Sequence, residues 1–414
     1  MRGRGGDIAL ASFVWPFGLA YALSYALRTI NAVLAPDLEQ AFSLSAADLG
    51  LLASAYFFSF ALLQIPLGIA LDRTNPVRVE RRLMLVALVG CVMSALSTDF
   101  WTLWIGRALI GIGVSACLMS AYKAFRLQFE APLQAPLAST MLVLGSIGAL
   151  SATLPVSLLL PLVSWQGVFW LFAASFGLAW GALSRLERHF EQDKEAAPQR
   201  NAPVAAASPG LLSVLVHPAF LRVLPFGVLS YGGFLALHGL WLGPWLTEVE
   251  GASSGLAAEQ MFWLTGVIML GHLAWAGLTR RVVGERMSLD QLMQIGLCAF
   301  AVLSLLAALS VWPHPLIGWG LAFLAAGSTT LGYNVVALAF PVSQSARATT
   351  AFNFLVFVGA FGMQWGMGIV VDLAVQASHT KASGLQWAIL IWVATQALAL
   401  LWMRCFRAPA LDND

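Results

Sequence analysis

The chain has 414 residues, of which 59% are hydrophobic and 10% charged, where an ordinary soluble domain carries roughly a quarter charged residues. With 22 Lys+Arg and 20 Asp+Glu, a folded chain of this length cannot clothe a water-facing surface. That excludes a soluble globular protein, a nucleic-acid binder and a disordered chain. The bilayer is its solvent, and the net charge of +2 matters less than where the charges fall.

Met1-Arg2-Gly3-Arg4 before an apolar run has the outline of a secretory signal. The run is too long for one and others follow it, so it is expected as a retained first helix. Apolar stretches long enough to span hydrocarbon fall at 11–35, 48–71, 83–98, 101–122, 137–161, 166–184, 219–246, 260–279, 288–310, 315–340, 348–371 and 384–403. They are too long and continuous for barrel strands, and hydrocarbon cannot satisfy an open backbone. The expected fold class is therefore an all-α integral membrane protein of about twelve transmembrane helices.

Of the 22 basic residues, 19 fall on one side if the chain crosses that many times; the other side receives Lys381, and Arg28 and Arg107 stay within spans. The positive-inside rule then places both termini in the cytoplasm. The polar, Pro-interrupted stretch 186–215 reads as a cytoplasmic linker between an N-terminal bundle, 1–185, and a C-terminal bundle, 216–414. The four cysteines fall singly, with no metal or redox spacing, and read as small buried hydrophobes.

No acidic residue lies in the middle of a span, whereas basic and titratable ones do. Tyr21, Ser24, Tyr25, Arg28 and Asn31 recur at helical spacing and form one polar face of the first span. A guanidinium flanked by tyrosines suits a carboxylate or phosphate. Arg107 has Gly111 on its face, and Lys123, at the end of its span, reads as an interfacial anchor. In the seventh span Tyr231 and His238 share a face with Trp241 beside them, and His238 is the group best suited to carry a coupling proton. Asn334, Asn353 and Gln364 supply neutral hydrogen-bonding groups in the tenth and eleventh spans. Met269 with His272, and Met363 with Met367, have same-face spacing that would suit Cu(I).

The second span ends in Gln64-Ile-Pro66-Leu-Gly68-Ile-Ala-Leu-Asp72-Arg73-Thr-Asn75-Pro76-Val77-Arg78. This resembles the loop signature of the major facilitator superfamily, with Asn75 and Val77 standing where that family commonly has Gly and Arg. Arg107-Ala-Leu-Ile-Gly111-Ile-Gly113 resembles its Arg-x-x-x-Gly-x-Gly pattern, and Gly145-Ser-Ile-Gly148 loosely resembles a Gly/Pro pattern of its antiporters. The resemblance implies two six-helix bundles around a cavity that opens alternately to either side, lined by helices one, four, seven and ten. It also implies that Gly68, Asp72, Arg73 and Arg78 belong to a cytoplasmic gate, with Gly68 allowing close helix approach, and that Arg107 and Gly111 serve coupling or helix contact.

No HExxH, GxSxG or phosphate-cradling loop occurs, so neither an enzyme nor a cofactor is expected. The expected function is a secondary active transporter for a small anionic organic solute, with Arg28 binding the anion and a proton co-transported. It would be a monomer in the plasma membrane, in a bacterium the inner membrane, with substrate and lipid as partners and no nucleic acid. The alternatives are a Cu(I) importer and a non-transporting membrane sensor; a sensor would be expected to carry an appended soluble domain or a long tail.

Overall fold

The structure, a computed structural model, describes residues 10–196 and 211–406. The middle of the linker segment, 197–210, and Arg2 and Arg4 lie outside the described residues. In chain order α1 comprises Leu10–Thr29 and Asn31–Phe42, α2 is Ala46–Arg73, α3 is Pro76–Ala95, and α4 comprises Phe100–Val114 and Cys117–Gln128. α5 is Ala131–Ser151 with 154–163, and α6 is 165–196; the non-helical Ser164 divides the two within Leu154–Ala196. Then follow α7 (Pro218–Val249), α8 (Ser254–Val282), α9 (Leu289–Ala308), α10 (Pro315–Leu338), α11 (Val342–Gln376) and α12 (Lys381–Cys405).

Among the described residues, eleven helical segments are long and apolar enough to cross a membrane. The twelfth, α3, falls short of that hydropathy because Arg78, Glu80, Arg81 and Arg82 occupy its first turns. The helix count thus agrees with the sequence expectation. Of the cysteines, Cys91 and Cys117 are buried as expected, whereas Cys298 and Cys405 are exposed, because α9 and α12 turn them away from their helix neighbours.

Four helices are not regular where hydropathy shows an unbroken run. α1 breaks at Ile30, where the Thr29 hydroxyl donates to the Tyr25 and Ala26 carbonyls (3.1 and 3.3 Å). α4 breaks at 115–116, after Gly111 and Gly113, with Ser115 Oγ donating to the Ile112 carbonyl (2.8 Å). α7 contains π-helical turns at Phe226–Tyr231, Leu237–Trp241 and Trp245–Val249. α10 tightens to a 3₁₀ turn over Gly327–Thr330, with both threonine hydroxyls donating three residues back. Ser and Thr side chains compete for helix carbonyls and Gly lowers helix propensity, so these sites interrupt helices that are apolar by composition. A similar turn at 152–153, with Thr153 bonding back to Leu150, interrupts α5.

The chain divides into two compact units, 1–30 with 55–206 and 31–54 with 207–414. This differs from halves cut at the linker, because tertiary contacts tie 31–54 to the second unit. Pro36 removes the amide that would bond the Ala32 carbonyl, and Gly243 of α7 packs there: a Cβ on Gly243 would lie 2.1 Å from that oxygen. Lys381 pairs with Glu39 (2.7 Å) and Glu248 (3.4 Å).

The start of α2 is capped twice. Ser45 and Asp48 bond each other's backbone amides at 3.1 Å, and Asp372 of α11 accepts from the Ala46 and Ala47 amides (2.9 and 2.8 Å). Helix-start amides have no intrahelical partner, and a carboxylate there also meets the positive end of the macrodipole. Asp372→Ala is expected to lower stability by about 1–2 kcal/mol and Asp372→Asn, which keeps one acceptor, by about half of that. Thermal unfolding of purified protein checks this; unchanged melting temperatures in both variants would sink it.

A local cap also starts α4, where Asp99 accepts from the Thr102 hydroxyl (2.6 Å) and amide (2.9 Å). The Thr102 hydroxyl and amide hold its carboxylate below the ordinary Asp range. The cap contributes fully above the ordinary value and is lost as pH falls through the lowered one.

Candidate functional site

In the first unit Tyr21, Ser24, Tyr25 and Arg28 lie along α1 ahead of its break. Tyr21 and Tyr25 pack edge to face (4.9 Å between ring centroids) with their hydroxyls 3.3 Å apart. The Arg28 guanidinium carbon lies 4.5 Å from the Tyr25 ring centroid, 5.9 Å from that of Tyr56 and 5.7 Å from that of Phe60. Tyr56 is tied to the same helix: its hydroxyl donates to the Ser24 carbonyl (3.1 Å) and lies 3.0 Å from Ser24 Oγ. A half-buried guanidinium is thus framed by three aromatic rings and by tyrosine hydroxyls. Asn31 lies beyond the break at Ile30 and groups with the second unit, so it does not share this unit with Arg28. Tyr56 and Phe60 escape a sequence reading because the run Tyr56-Phe-Phe-Ser-Phe60 looks merely apolar.

Arg107 of α4 is 1% exposed, and its Nη2 donates to the Leu27 carbonyl (2.9 Å), the residue before Arg28. It holds α1 just ahead of its break. Gly111, on the same face, sits where a Cβ would fall 2.2 Å from Ser59 Oγ and 2.4 Å from the Tyr56 carbonyl. Arg107 and Gly111 both lie where α4 packs against α1 and α2.

At the loop between α2 and α3, Arg78 and Arg81 of α3 share Glu187 of α6, with Nε–O distances of 2.7 and 2.5 Å. The Lys123 Nζ donates to the Leu71 carbonyl near the end of α2. Arg73 is exposed, and the side chain of Asp72 lies outside the described residues. Gly68 does not bring helices together: a Cβ there would meet nothing within 4 Å, because that face of α2 is open. The close approach expected of it occurs at Gly111 and Gly148 instead.

In the second unit His238 is 9% exposed and its Nε2 lies 3.1 Å from Thr265 Oγ1. That hydroxyl already donates to the Met261 carbonyl (2.7 Å), so the imidazole Nε2 is the donor to it. The ring stacks on Phe234 and meets Phe323 edge-on. Trp241 donates from Nε1 to the Gln364 carbonyl (2.9 Å), and both residues are buried. Both side-chain polar atoms of Gln364 are buried without a hydrogen-bond partner. Tyr333 brings two predicted residues together: its hydroxyl donates to Asn353 Oδ1 (2.6 Å) and its ring lies edge-on to Tyr231 (6.1 Å). Asn334, by contrast, is exposed.

Met269 and His272 lie on α8, which packs on α10, whereas Met363 and Met367 lie on α11, which packs on α7 and α12. Among the described residues no group of three or more His, Cys, Asp or Glu could hold a metal ion. Sequence reasoning also missed Arg222 of α7, whose guanidinium grips Asp290 of α9 through two contacts (2.5 and 2.9 Å) and donates to the Met403 carbonyl of α12 (3.0 Å). The pairing joins residues far apart in sequence, so no local pattern announces it.

A multi-pass helical membrane protein with charged groups held inside its bundles is the class that this fold defines. Residues 17–363 match the family model of the Major Facilitator Superfamily, and the chain belongs to that family. It is a secondary transporter and not an enzyme. The probable sugar efflux transporter of Helicobacter pylori (strain P12) is 23% identical to it over 398 residues, 94% of each chain. The probable sulfoacetate transporter SauU of Cupriavidus necator is 30% identical over 107 residues, 26% of this chain and 25% of that one. Among solved structures, a bacterial homolog to the human lysosomal transporter Spinster, inward-facing and occupied, superposes with a TM-score of 0.77 at 17% identity, covering 97% of both chains. The D-xylose-proton symporter superposes with a TM-score of 0.73 at 15% identity, covering 95% of this chain and 97% of that one.

Proposed function

We propose that this transporter moves a small organic anion by alternating access, with Arg28 as the anion-binding group and Tyr25 and Tyr56 shaping its surroundings. The carrying observation is Arg28 itself, a guanidinium set among aromatic rings inside the membrane, in a chain with no acid in the middle of any span. A planar fork of donors in low dielectric is a strong recognition element for carboxylate, sulfonate or phosphate. The positions of the helix interruptions lend support. They fall in α1, α4, α7 and α10, with one more in α5, and irregular backbone at membrane depth is tolerated where it is buried in protein or lines a cavity. On the same reading the termini are cytoplasmic, the membrane is the bacterial inner membrane, and Arg78 and Arg81 with Glu187 brace the gate on that side.

A sugar is the second reading, favoured by the relatives matched along 94% of the chain and by the rings around Arg28, since aromatic faces also stack on sugars. Thermal shift separates the two, because a ligand that binds only the folded state stabilises it by about 2.7 kcal/mol at a hundred times its dissociation constant. Sulfoacetate is expected to raise the melting temperature of the purified protein and D-xylose to leave it unmoved. The reverse pattern would replace the anion by a sugar.

A further inference from the structure

Glu80 is a carboxyl group that neither the cargo site nor the gate uses. It stands in the first turns of α3, ahead of the apolar run 83–98, and is 0% exposed. Both of its carboxyl oxygens are buried, and no cation pairs with them among the described residues. The cations beside it in sequence are turned away, since Arg78 and Arg81 close on Glu187 of α6.

α4 and α6 pack on α3, and Leu67 and Leu71 of α2 reach it as well. From α4, Cys117 and Ser120 flank Glu80. The Cys117 thiol donates to the Ala20 carbonyl (3.5 Å), and the buried Ser120 hydroxyl faces the Glu80 carboxyl group. Of the cations of α4, Lys123 is engaged at the Leu71 carbonyl and Arg107 at the Leu27 carbonyl, and Arg126 is exposed. α6 brings Glu187, which is occupied by the two arginines. An apolar cluster of Leu67, Leu71 and Ala116, extended by Val79 and Leu83, lies on the neighbouring turns. Cys117 is within electrostatic range of both Glu80 and Arg28, so the acid and the candidate cargo site share a neighbour.

A fully buried carboxylate ion with a thiol and a hydroxyl beside it, and with the neighbouring arginines engaged by Glu187, is costly to hold, so Glu80 rests here as the neutral acid. It can ionise only when the contact between α3 and α4 opens to water. We infer that Glu80 is the proton-carrying group of the transport cycle. Its carboxyl O–H bond is intact while that contact is closed. When the contact opens, the bond breaks, the proton passes to water and the carboxylate is solvated; a proton from water restores the acid before closure. No electron moves. His238 is less suited, its ring being committed to Thr265 and two phenylalanines. The inference rests on the chain being a coupled carrier and deepens that reading by naming its coupling ion; the nature of the cargo does not enter.

Infrared difference spectra of the whole protein in lipid nanodiscs, titrated through neutral pH, test it without any cargo. The wild type is expected to lose a neutral-carboxyl band as pH rises, and Glu80→Gln, isosteric with the neutral acid, to lack that band throughout. A wild type without the band, or a band that persists unchanged in Glu80→Gln, overturns the assignment. Proteoliposomes supply the functional arm, with radiolabelled sulfoacetate and D-xylose as probes. Where either is carried, Glu80→Gln should keep counterflow at about the wild-type rate. Accumulation driven by one pH unit, at most about tenfold for one proton per solute, should vanish. Pumping by Glu80→Gln equal to wild type also overturns the assignment. Flux of neither probe counts against the proposed cargo and leaves the infrared result to decide the acid.

Discussion

Arg28→Gln is expected to cut uptake of a radiolabelled organic anion by proteoliposomes about 10- to 100-fold while the protein still folds. A hydrogen bond to a charged group is worth about 1.5–3 kcal/mol net, and each 1.4 kcal/mol is a factor of ten in affinity. Gln keeps a polar head and two donors but loses the charge and the fork. Arg28→Lys separates those contributions, because Lys keeps the charge as a point and loses the planar pair of donors; it should fall between the wild type and Gln. The framing rings of Tyr25, Tyr56 and Phe60 remain in either variant, so melting temperature serves as the folding control. Undiminished anion uptake by Arg28→Gln would remove the anion argument.

Gly148→Leu should leave little folded protein in the membrane. A Cβ at Gly148 would lie 2.0 Å from the Ala22 carbonyl oxygen and 2.6 Å from its carbon, and backbone cannot swing aside as a side-chain tip does. The neighbouring Gly145 would meet the Tyr21 ring at 2.7 Å, so α1 and α5 touch along more than one turn. Even Gly148→Ala is expected to cost about 1–3 kcal/mol, the usual range for overpacking. Gly68→Ala is the matched control, since a Cβ there meets nothing within 4 Å. Detergent-solubilised yield and thermal unfolding decide the matter; a Gly148→Leu protein as stable as the Gly68→Ala protein would refute the close contact.

Much of the fold was legible because the bilayer reduces the problem to counting apolar runs, and the polar face of α1 was legible because three- and four-residue spacing survives in any helix. The breaks were not. Hydropathy weighs composition, whereas the interruption at Ile30 arises from Thr29 competing for backbone carbonyls. Glu80 was hidden by its neighbours: in a run containing Arg78, Arg81 and Arg82 it reads as one more solvated loop charge. Only the pairing of Arg78 and Arg81 with Glu187 shows that it faces the other way. Asp372 lies 326 residues from the amide of Ala46 that it caps, a distance over which no local pattern can speak.

The broken segments of α1 and α4 bear on how any cargo site in this chain can be mapped. Where a helix loses its regular i to i−4 bonding, main-chain carbonyls and amides become available to a solute without further unwinding. Alanine scanning removes side chains and leaves those groups in place. Scored that way, any recognition surface near Ile30 or near 115–116 would look smaller than it is, and tolerance of substitution there would not mean absence of contact. Amide-to-ester exchange along the main chain is the perturbation that such a surface answers to.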